Sequence, residues 1–403
     1  MSTRWPGGIV SATAPTVVGP TDGEGGSAPG IWTMDQADYY IAAGTWPLPL
    51  IPKYVWTWGE NVDGQLGLGN VANRSSPNQV GSLGTWLKIA CRSSHTMATK
   101  TDGTLWTWGN NGQGRLGLGN VTYYSSPKQV GALTTWKEIA TGPRGTCTIA
   151  TKTDGTLWSW GQNNAGQLGL GNTTNYSSPK QVGLLTSWLA VAGGSTFTIA
   201  TKTDGTIWTW GDNSTGQLGL GNLTYRSSPN QVGVLTNWLT IAGGFGHAMA
   251  IKTDGTLWAW GRNLVGQLGL GDAVNRSSPV QVGALTTWSK VACGAMFTLA
   301  VKTDGTLWSW GANGQGQLGS GNTTDRSSPV QVGALTTWLK VAGGGYQAIA
   351  IKTSGDLWTW GRNNLGELGL GNTTYFSSPK QVGSLITWKA IAGGSQFTAT
   401  LKS

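Results

Sequence analysis

Charge is scarce in this chain. Only 11% of its 403 residues are Asp, Glu, Lys or Arg, where a soluble globular chain carries about 25%. That excludes an acidic or basic disordered tail. Histidine is scarcer still, with two residues in all. The three cysteines, Cys91, Cys147 and Cys293, are odd in number and widely spaced. This argues against a disulfide framework or a zinc site, and they read as reduced, buried small residues. No apolar run approaches the roughly 18 residues of a membrane-crossing helix. Residues 1–30 hold no apolar stretch of the signal-peptide kind. Neither membrane insertion nor secretion is expected.

What the chain has is 65 Gly and 24 Trp. So many core-building Trp residues exclude a flexible linker protein. The net charge of +9 is spread evenly, and Lys100, Lys152, Lys202, Lys252, Lys302, Lys352 and Lys402 share one repeat position. Without a block of basic residues, nucleic-acid binding is not expected.

Internal periodicity decides the architecture. The string Trp-x-Trp-Gly begins at Trp56, Trp106, Trp158, Trp208, Trp258, Trp308 and Trp358, at a spacing of 50 with one step of 52. Each copy reads as four short strands. The first is like Trp238 to Ala242 and the second like Ala248 to Lys252. Thr-Asp-Gly then suits a two-residue hairpin turn, because Asp-Gly tolerates positive φ. The third strand, Leu-Trp-x-Trp, has both Trp on one face by the period of two. A long Gly/Asn/Ser loop leads to a short Gln-Val strand. Nothing has helical periodicity across a repeat. Seven copies of four antiparallel strands predict an all-β, seven-bladed β-propeller. A solenoid fits worse, since its repeats are usually shorter and need capping ends. The last copy stops at Leu401-Lys402-Ser403, where the third strand is due, and Lys53 to Gly59 supply that strand. One blade is therefore expected to take two strands from each terminus, which removes two open sheet edges.

Two domains are expected: an arm over 1–49 and the propeller over 50–403. Positions 6–30 are rich in Gly, Pro, Ser and Thr and read as extended. Thr33-Met34-Asp35-Gln36 forms a capping box, so a short helix is predicted from Met34 to Ala43, stopped by Gly44 and Pro47. So short a helix must pack on the propeller or on a partner. Trp32, Met34, Tyr40, Ile41 and Trp46 are its candidate anchor residues.

Catalytic chemistry is not expected. His95 and His247 occupy the repeat position of Phe197, Phe297, Gln347 and Phe397, so they read as packing residues. Asp102, Asp154, Asp204, Asp254 and Asp304 are turn residues. No carboxylate pair or Ser/His/Asp set stands out. Gly64-Gln65-Leu66-Gly67-Leu68-Gly69 lacks the following helix of a phosphate loop. No cofactor or metal is expected.

The strings Ile/Val-Ala-Gly-Gly, Lys-Thr-Asp-Gly-x-Leu-Trp-x-Trp-Gly and Asn-x-x-Gly-Gln-Leu-Gly-Leu-Gly, repeated over roughly 50–403, resemble the regulator of chromosome condensation repeat. The resemblance implies a seven-bladed propeller. The family's founding member is a nucleotide exchange factor that binds nucleosomes, and other members are photoreceptors and ligase scaffolds. This chain has no long inserted wedge loop and no basic tail. It also reads Gly193-Gly194-Ser195-Thr196-Phe197-Thr198 where the plant ultraviolet-B receptor has Gly-Trp-Arg-His-Thr. Neither activity carries over. The segment Ala28 to Thr33 and Ala43 to Pro47 resembles bacteriophage tail and fibre proteins. The reading is a non-enzymatic virion component, joined to other virion proteins through 1–49 and presenting the propeller to a host receptor or protein partner. The alternative is an intracellular, cytoplasmic regulator of the exchange-factor or chromatin-binding type.

The copies differ unevenly. Loops between first and second strands and between third and fourth strands should share one face, and these vary. The opposite face repeats Thr-Asp-Gly and Gly-x-Leu-x-x-Trp. Tyr and Arg on loops favour recognition. Candidate partner-binding residues are Tyr225, Arg226, Phe245, Met296, Tyr346, Arg144, Tyr123 and Tyr124. The one length change falls near Pro143-Arg144-Gly145.

Overall fold

The computed structural model describes residues 51–403, apart from 141, 143 and 144. The expected helix over 34–43, the anchor residues Trp32, Met34, Tyr40, Ile41 and Trp46, and the loop residues Pro143 and Arg144 lie outside the described residues.

The repeat over 238–281, blade 4, shows how each copy folds. Its strands are Trp238–Gly243, His247–Lys252, Leu257–Gly261 and Arg276–Gln281. They are antiparallel and neighbour one another in chain order. Seven such four-stranded sheets form the propeller, and no described residue is helical. First strands of successive blades pack on each other right round the ring, so each first strand is innermost. The fourth strand differs from the expected one. It is Arg276–Gln281, containing Pro279, and begins several residues before the Gln-Val pair. Proline is tolerated there because an outermost strand needs no N–H donor on its free edge. Blade 2 departs from the rest: its first strand is only Trp136–Ile139.

The Thr-Asp-Gly turn also differs from expectation. In blade 3 (188–231), Gly205 N–H donates to Lys202 O at 3.0 Å and Lys202 N–H to Thr206 O at 3.1 Å, enclosing three residues. Gly205 takes φ +76°, and a side chain there would run into the Thr236 carbonyl. Asp204 contributes its carboxylate instead. Its Oδ1 accepts from Thr206 N at 3.0 Å and Thr206 Oγ1 at 2.6 Å, the local bonding for which Asp is favoured in turns.

Tryptophan builds the interior of each blade and the seam to the next. Trp238 meets Trp258 and Trp260 edge-on, with centroids 6.0 and 6.3 Å away, a favoured aromatic geometry. Lys252 Nζ lies 3.7 Å from the Trp258 centroid, a cation–π contact. The repeated lysines all stack this way, down to Lys402 over Trp56. Trp260 Nε1 donates across the seam to Gln217 O of blade 3 at 3.0 Å. Gly219 allows this approach: at φ +71°, an added Cβ would sit 2.9 Å from Trp260 Nε1. Buried Asn213 staples the same loop, accepting from Leu218 N at 3.0 Å and donating to Asn222 O at 2.8 Å. The glycine-rich strings are thus spacers between blades.

The termini close the ring as predicted. Tyr54–Gly59 pairs along the whole of Phe397–Lys402, from Tyr54↔Lys402 to Gly59↔Phe397. Blade 7 therefore holds Trp388–Gly393 and Phe397–Lys402 inside, and Tyr54–Gly59 and Arg74–Gln79 outside.

Candidate partner-binding face

In every blade the residue after Trp-x-Trp-Gly donates its N–H to a carbonyl of the loop between first and second strands. Glu60 bonds Gln396, Asp212 bonds Thr196, Arg262 bonds Gly246 and Arg362 bonds Tyr346, at 2.8 to 3.0 Å. The two variable loop types therefore share one face, as expected. Nearer the axis these loops are tied blade to blade. Phe245 N–H donates to Ala295 O at 2.9 Å, Ala295 to Gly344 O at 3.1 Å, and Ser395 to Ser93 O at 3.0 Å. The face stands on a rigid hub.

Between blades 2 and 3 that hub is completed by a side chain. Arg92 is fully buried and its Nη2 donates to Gly194 O at 2.9 Å. Among the described residues its Nε and Nη1 have no hydrogen-bond partner, and burial pushes its pKa down. Side chains at Gly145 or Gly193 would strike the guanidinium. Arg92 stands where blade 3 has Gly194, so one Ala-Gly-Gly departure changes how the ring is joined.

The sequence-predicted residues lie on this face but in separate places. Tyr225 is 51% exposed; its hydroxyl donates to Asp212, whose acceptance raises the Tyr225 pKa. Asp212 Oδ2 also accepts from Thr196 Oγ1 at 3.1 Å. Phe245 is half-buried beneath Arg262, 5.7 Å from ring centroid to guanidinium. Tyr346 and Arg362 repeat that pairing at 5.7 Å. Met296 is half-buried on blade 5 (288–331). Tyr123 is exposed on blade 1 (86–129). Tyr124 and Arg226 begin outermost strands and are half-buried, so they are strand residues and not loop residues. Arg144 lies outside the described residues. The described ones are spread over five blades. The structure pairs three of them with partners the sequence reading passed over: Asp212, Arg262 and Arg362. All three hold the position after Trp-x-Trp-Gly, where the copies read Glu60, Asn110, Gln162, Asp212, Arg262, Ala312 and Arg362. That variability was the available signal.

Titratable groups beneath the face are buried. His95 and His247 are fully buried. Each Nε2 reaches the next blade, at Thr148 Oγ1 (2.9 Å) and Thr298 Oγ1 (3.3 Å). Desolvation lowers both, His247 to about 3. The three cysteines are free and buried, with thiol pKa values pushed up by desolvation. Among the described residues, no three His, Cys, Asp or Glu side chains gather to hold a metal, and no helix is long and apolar enough to cross a membrane.

Glu367 replaces a repeated Gln, as at Gln167, Gln217, Gln267 and Gln317. It is fully buried, accepts from Leu365 N at 2.7 Å, and has Arg362 Nε 3.7 Å away. Burial raises its pKa, and burial, Asp63 and Glu367 together raise that of Glu60. A raised carboxyl favours the folded state below the ordinary Glu range and loses that advantage as pH rises through its folded value. Glu367→Gln keeps the acceptor, as Gln167 does for Ala165 N. It should raise Tm near neutral pH by roughly 1–2 °C and change little at pH 4, read by scanning calorimetry. An equal gain at both pH values would assign the effect to packing.

A rigid ring presenting varied loops defines a β-propeller of the binding class. The RCC1-like domain model matches residues 54–344, and the regulator of chromosome condensation (RCC1) repeat model matches 354–401. The chain belongs to the RCC1-like family. It is 33% identical over 131 residues to the ultraviolet-B receptor UVR8 of Arabidopsis thaliana, covering 32% of this chain and 29% of that relative. The chain thus spans under a third of that relative's length. Human WBSCR16 superposes with a TM-score of 0.77 at 21% identity, over 87% of this chain and 99% of that one. Prp20p of Saccharomyces cerevisiae, a protein described with its binding to Gsp1p and histones, superposes at 0.76 with 21% identity, over 88% and 92%. These likenesses establish the fold. The family matches lie outside 1–49, so they lend no support to a virion component and favour the regulator alternative.

Proposed function

We propose that this chain is a non-enzymatic regulator of the exchange-factor or chromatin-binding type that holds a protein partner on its varied loop face. The observation that carries the reading is the clustering of varied aromatic and charged loop residues on that face, where Tyr225–Asp212, Phe245–Arg262 and Tyr346–Arg362 stand on a hydrogen-bonded hub. Aromatic and arginine side chains on rigid supports are the usual anchors of protein interfaces. Membership of the RCC1-like family supports a binding role, and Prp20p supplies the type of partner by analogy. The propeller over 50–403 is the recognition domain in this reading, and 1–49 a separate arm.

The test takes a partner captured from native cell extract and measures its affinity by calorimetry. Alanine at Tyr225, Arg226, Phe245, Met296 and Tyr346 together should cost at least about 2 kcal/mol. Equal or greater loss from alanine at Asp154, Asp204 and Asp254, with folding intact, would move the interface to the other face. Faster release of a labelled guanine nucleotide from a captured GTPase would select the exchange-factor form.

A further inference from the structure

The face of uniform turns carries its own chemistry. The link between one blade's outermost strand and the next blade's innermost strand crosses it seven times. Each link exposes a leucine at the same position, from Leu83 to Leu385, with 44 to 56% of its surface in water. Leu184, Val234 and Ile386 add to them at 91, 87 and 57%. Exposed aliphatic side chains marked for interaction by their grouping are thus offered by every blade on this face.

Inside this aliphatic belt lies a one-sided group of charges. Lys290 and Lys340 hold the same position of adjacent innermost strands, Trp288–Cys293 and Trp338–Gly343. Lys389 follows on Trp388–Gly393, and Lys340 Nζ donates to its carbonyl oxygen at 2.6 Å. Lys53 directly precedes Tyr54–Gly59, the strand that pairs with the last one, and is bridged to Thr85. Lys340 feels desolvation first, then the repulsion of Lys53, Lys290 and Lys389, and all four effects lower its pKa. Further round the axis, Lys88 pairs with Glu138 at 2.5 Å. Among the described residues, no carboxylate pairs with any of the other four lysines.

We propose that this face is a docking surface for an acidic polypeptide segment, whose carboxylates meet Lys53, Lys290, Lys340 and Lys389 and whose aliphatic side chains seat on the link leucines. Charge complementarity selects the occupant. A second copy of this chain would bring its own lysines against these across a two-fold axis. Single-stranded nucleic acid needs aromatic platforms for its bases. The large exposed aromatic residues among those described, Tyr123, Tyr225 and Tyr375, all sit on loops of the opposite face. The surface is therefore distinct from the varied face.

The test uses the full chain and a fluorescein-labelled peptide of repeating Asp, Glu and Leu, read by anisotropy. Binding should saturate and weaken with added salt. The variant K290Q/K340Q/K389Q, altered only at exposed positions, should lose roughly tenfold or more in affinity while keeping its tryptophan emission. Leu285→Ser with Leu335→Ser should weaken the same peptide, and the alanine variant of the varied face should not. Unchanged affinity in the lysine variant would overturn the proposal. So would a polyglutamate peptide that binds as well as the mixed one, or a single-stranded oligonucleotide that binds more tightly and is lost by the same substitutions.

Discussion

Deleting Ile391–Ser403 should cost the protein its folded ring, with a drop in Tm of more than about 10 °C or no cooperative transition at all. The segment removes the whole of Phe397–Lys402, which hydrogen-bonds on both sides, to Trp388–Gly393 and to Tyr54–Gly59. Phe397, Ala399 and Leu401 leave a cluster that includes Val55, Trp86 and Trp108. Losing one large core side chain costs about 3–5 kcal/mol, and folded domains have only about 5–15 kcal/mol to lose. Two strand edges would be opened as well. Circular dichroism melting checks this. A truncated chain with unchanged Tm would mean that the six remaining blades do not need the clasp.

Acid should unfold this protein through its two histidines. His247 has its pKa lowered to about 3 by complete burial, and His95 is lowered by burial and then by Arg115 and Arg92. A lowered histidine binds its proton only in the unfolded chain between the ordinary value near 6.5 and the folded value. Stability is therefore full above pH 6.5 and is lost as pH falls. At pH 4.5 the His247 term alone amounts to roughly 2–3 kcal/mol. His95→Phe with His247→Phe should remove this loss, because Phe197, Phe297 and Phe397 already fill the same slot in other blades. Thr148 Oγ1 still donates to Arg115 O at 2.7 Å without the imidazole. Urea titrations should show the double variant close to the parent at pH 7.5 and several kcal/mol more stable at pH 4.5. A parallel loss in both proteins would place acid sensitivity elsewhere.

Much of the architecture could be read in advance because a repeat multiplies weak signals. The blade count, the first three strands of each copy and the clasp all follow from Trp-x-Trp-Gly and its spacing. The fourth strand did not, since Arg276–Gln281 lacks alternating apolar residues and contains a proline. Its place on an edge, fixed only in three dimensions, makes that composition acceptable. The turn differs for a related reason: Asp204 and Gly205 suit both forms, and the longer one is defined by the Lys202–Thr206 pairing in the folded blade. At the candidate site, Tyr225, Phe245 and Tyr346 were legible as variable aromatic residues. Their partners Asp212, Arg262 and Arg362 were not, because an arginine beside Trp-x-Trp-Gly looks like any exposed charge until the neighbouring loop is in place. Arg92, the last residue of Trp86–Arg92, is a buried joint that only the neighbouring blades reveal.

The Asp-Gly turns also bear on how the molecule ages. Asp-Gly is the dipeptide most prone to isomerise through a succinimide, formed when the glycine nitrogen attacks the aspartyl carbon and hydroxide or water departs. At Asp154 each requirement of that reaction is opposed. The nitrogen of Gly155 is held by its bond to Lys152 O at 3.0 Å. The carboxylate is pinned by Thr156 Oγ1 at 2.7 Å and Thr156 N at 2.9 Å. Those bonds also lower its pKa, Thr156 Oγ1 foremost, and so deplete the protonated acid from which the leaving group comes. The five Thr-Asp-Gly turns, one in each of five blades, thereby stand in the geometry and charge state least suited to the damage.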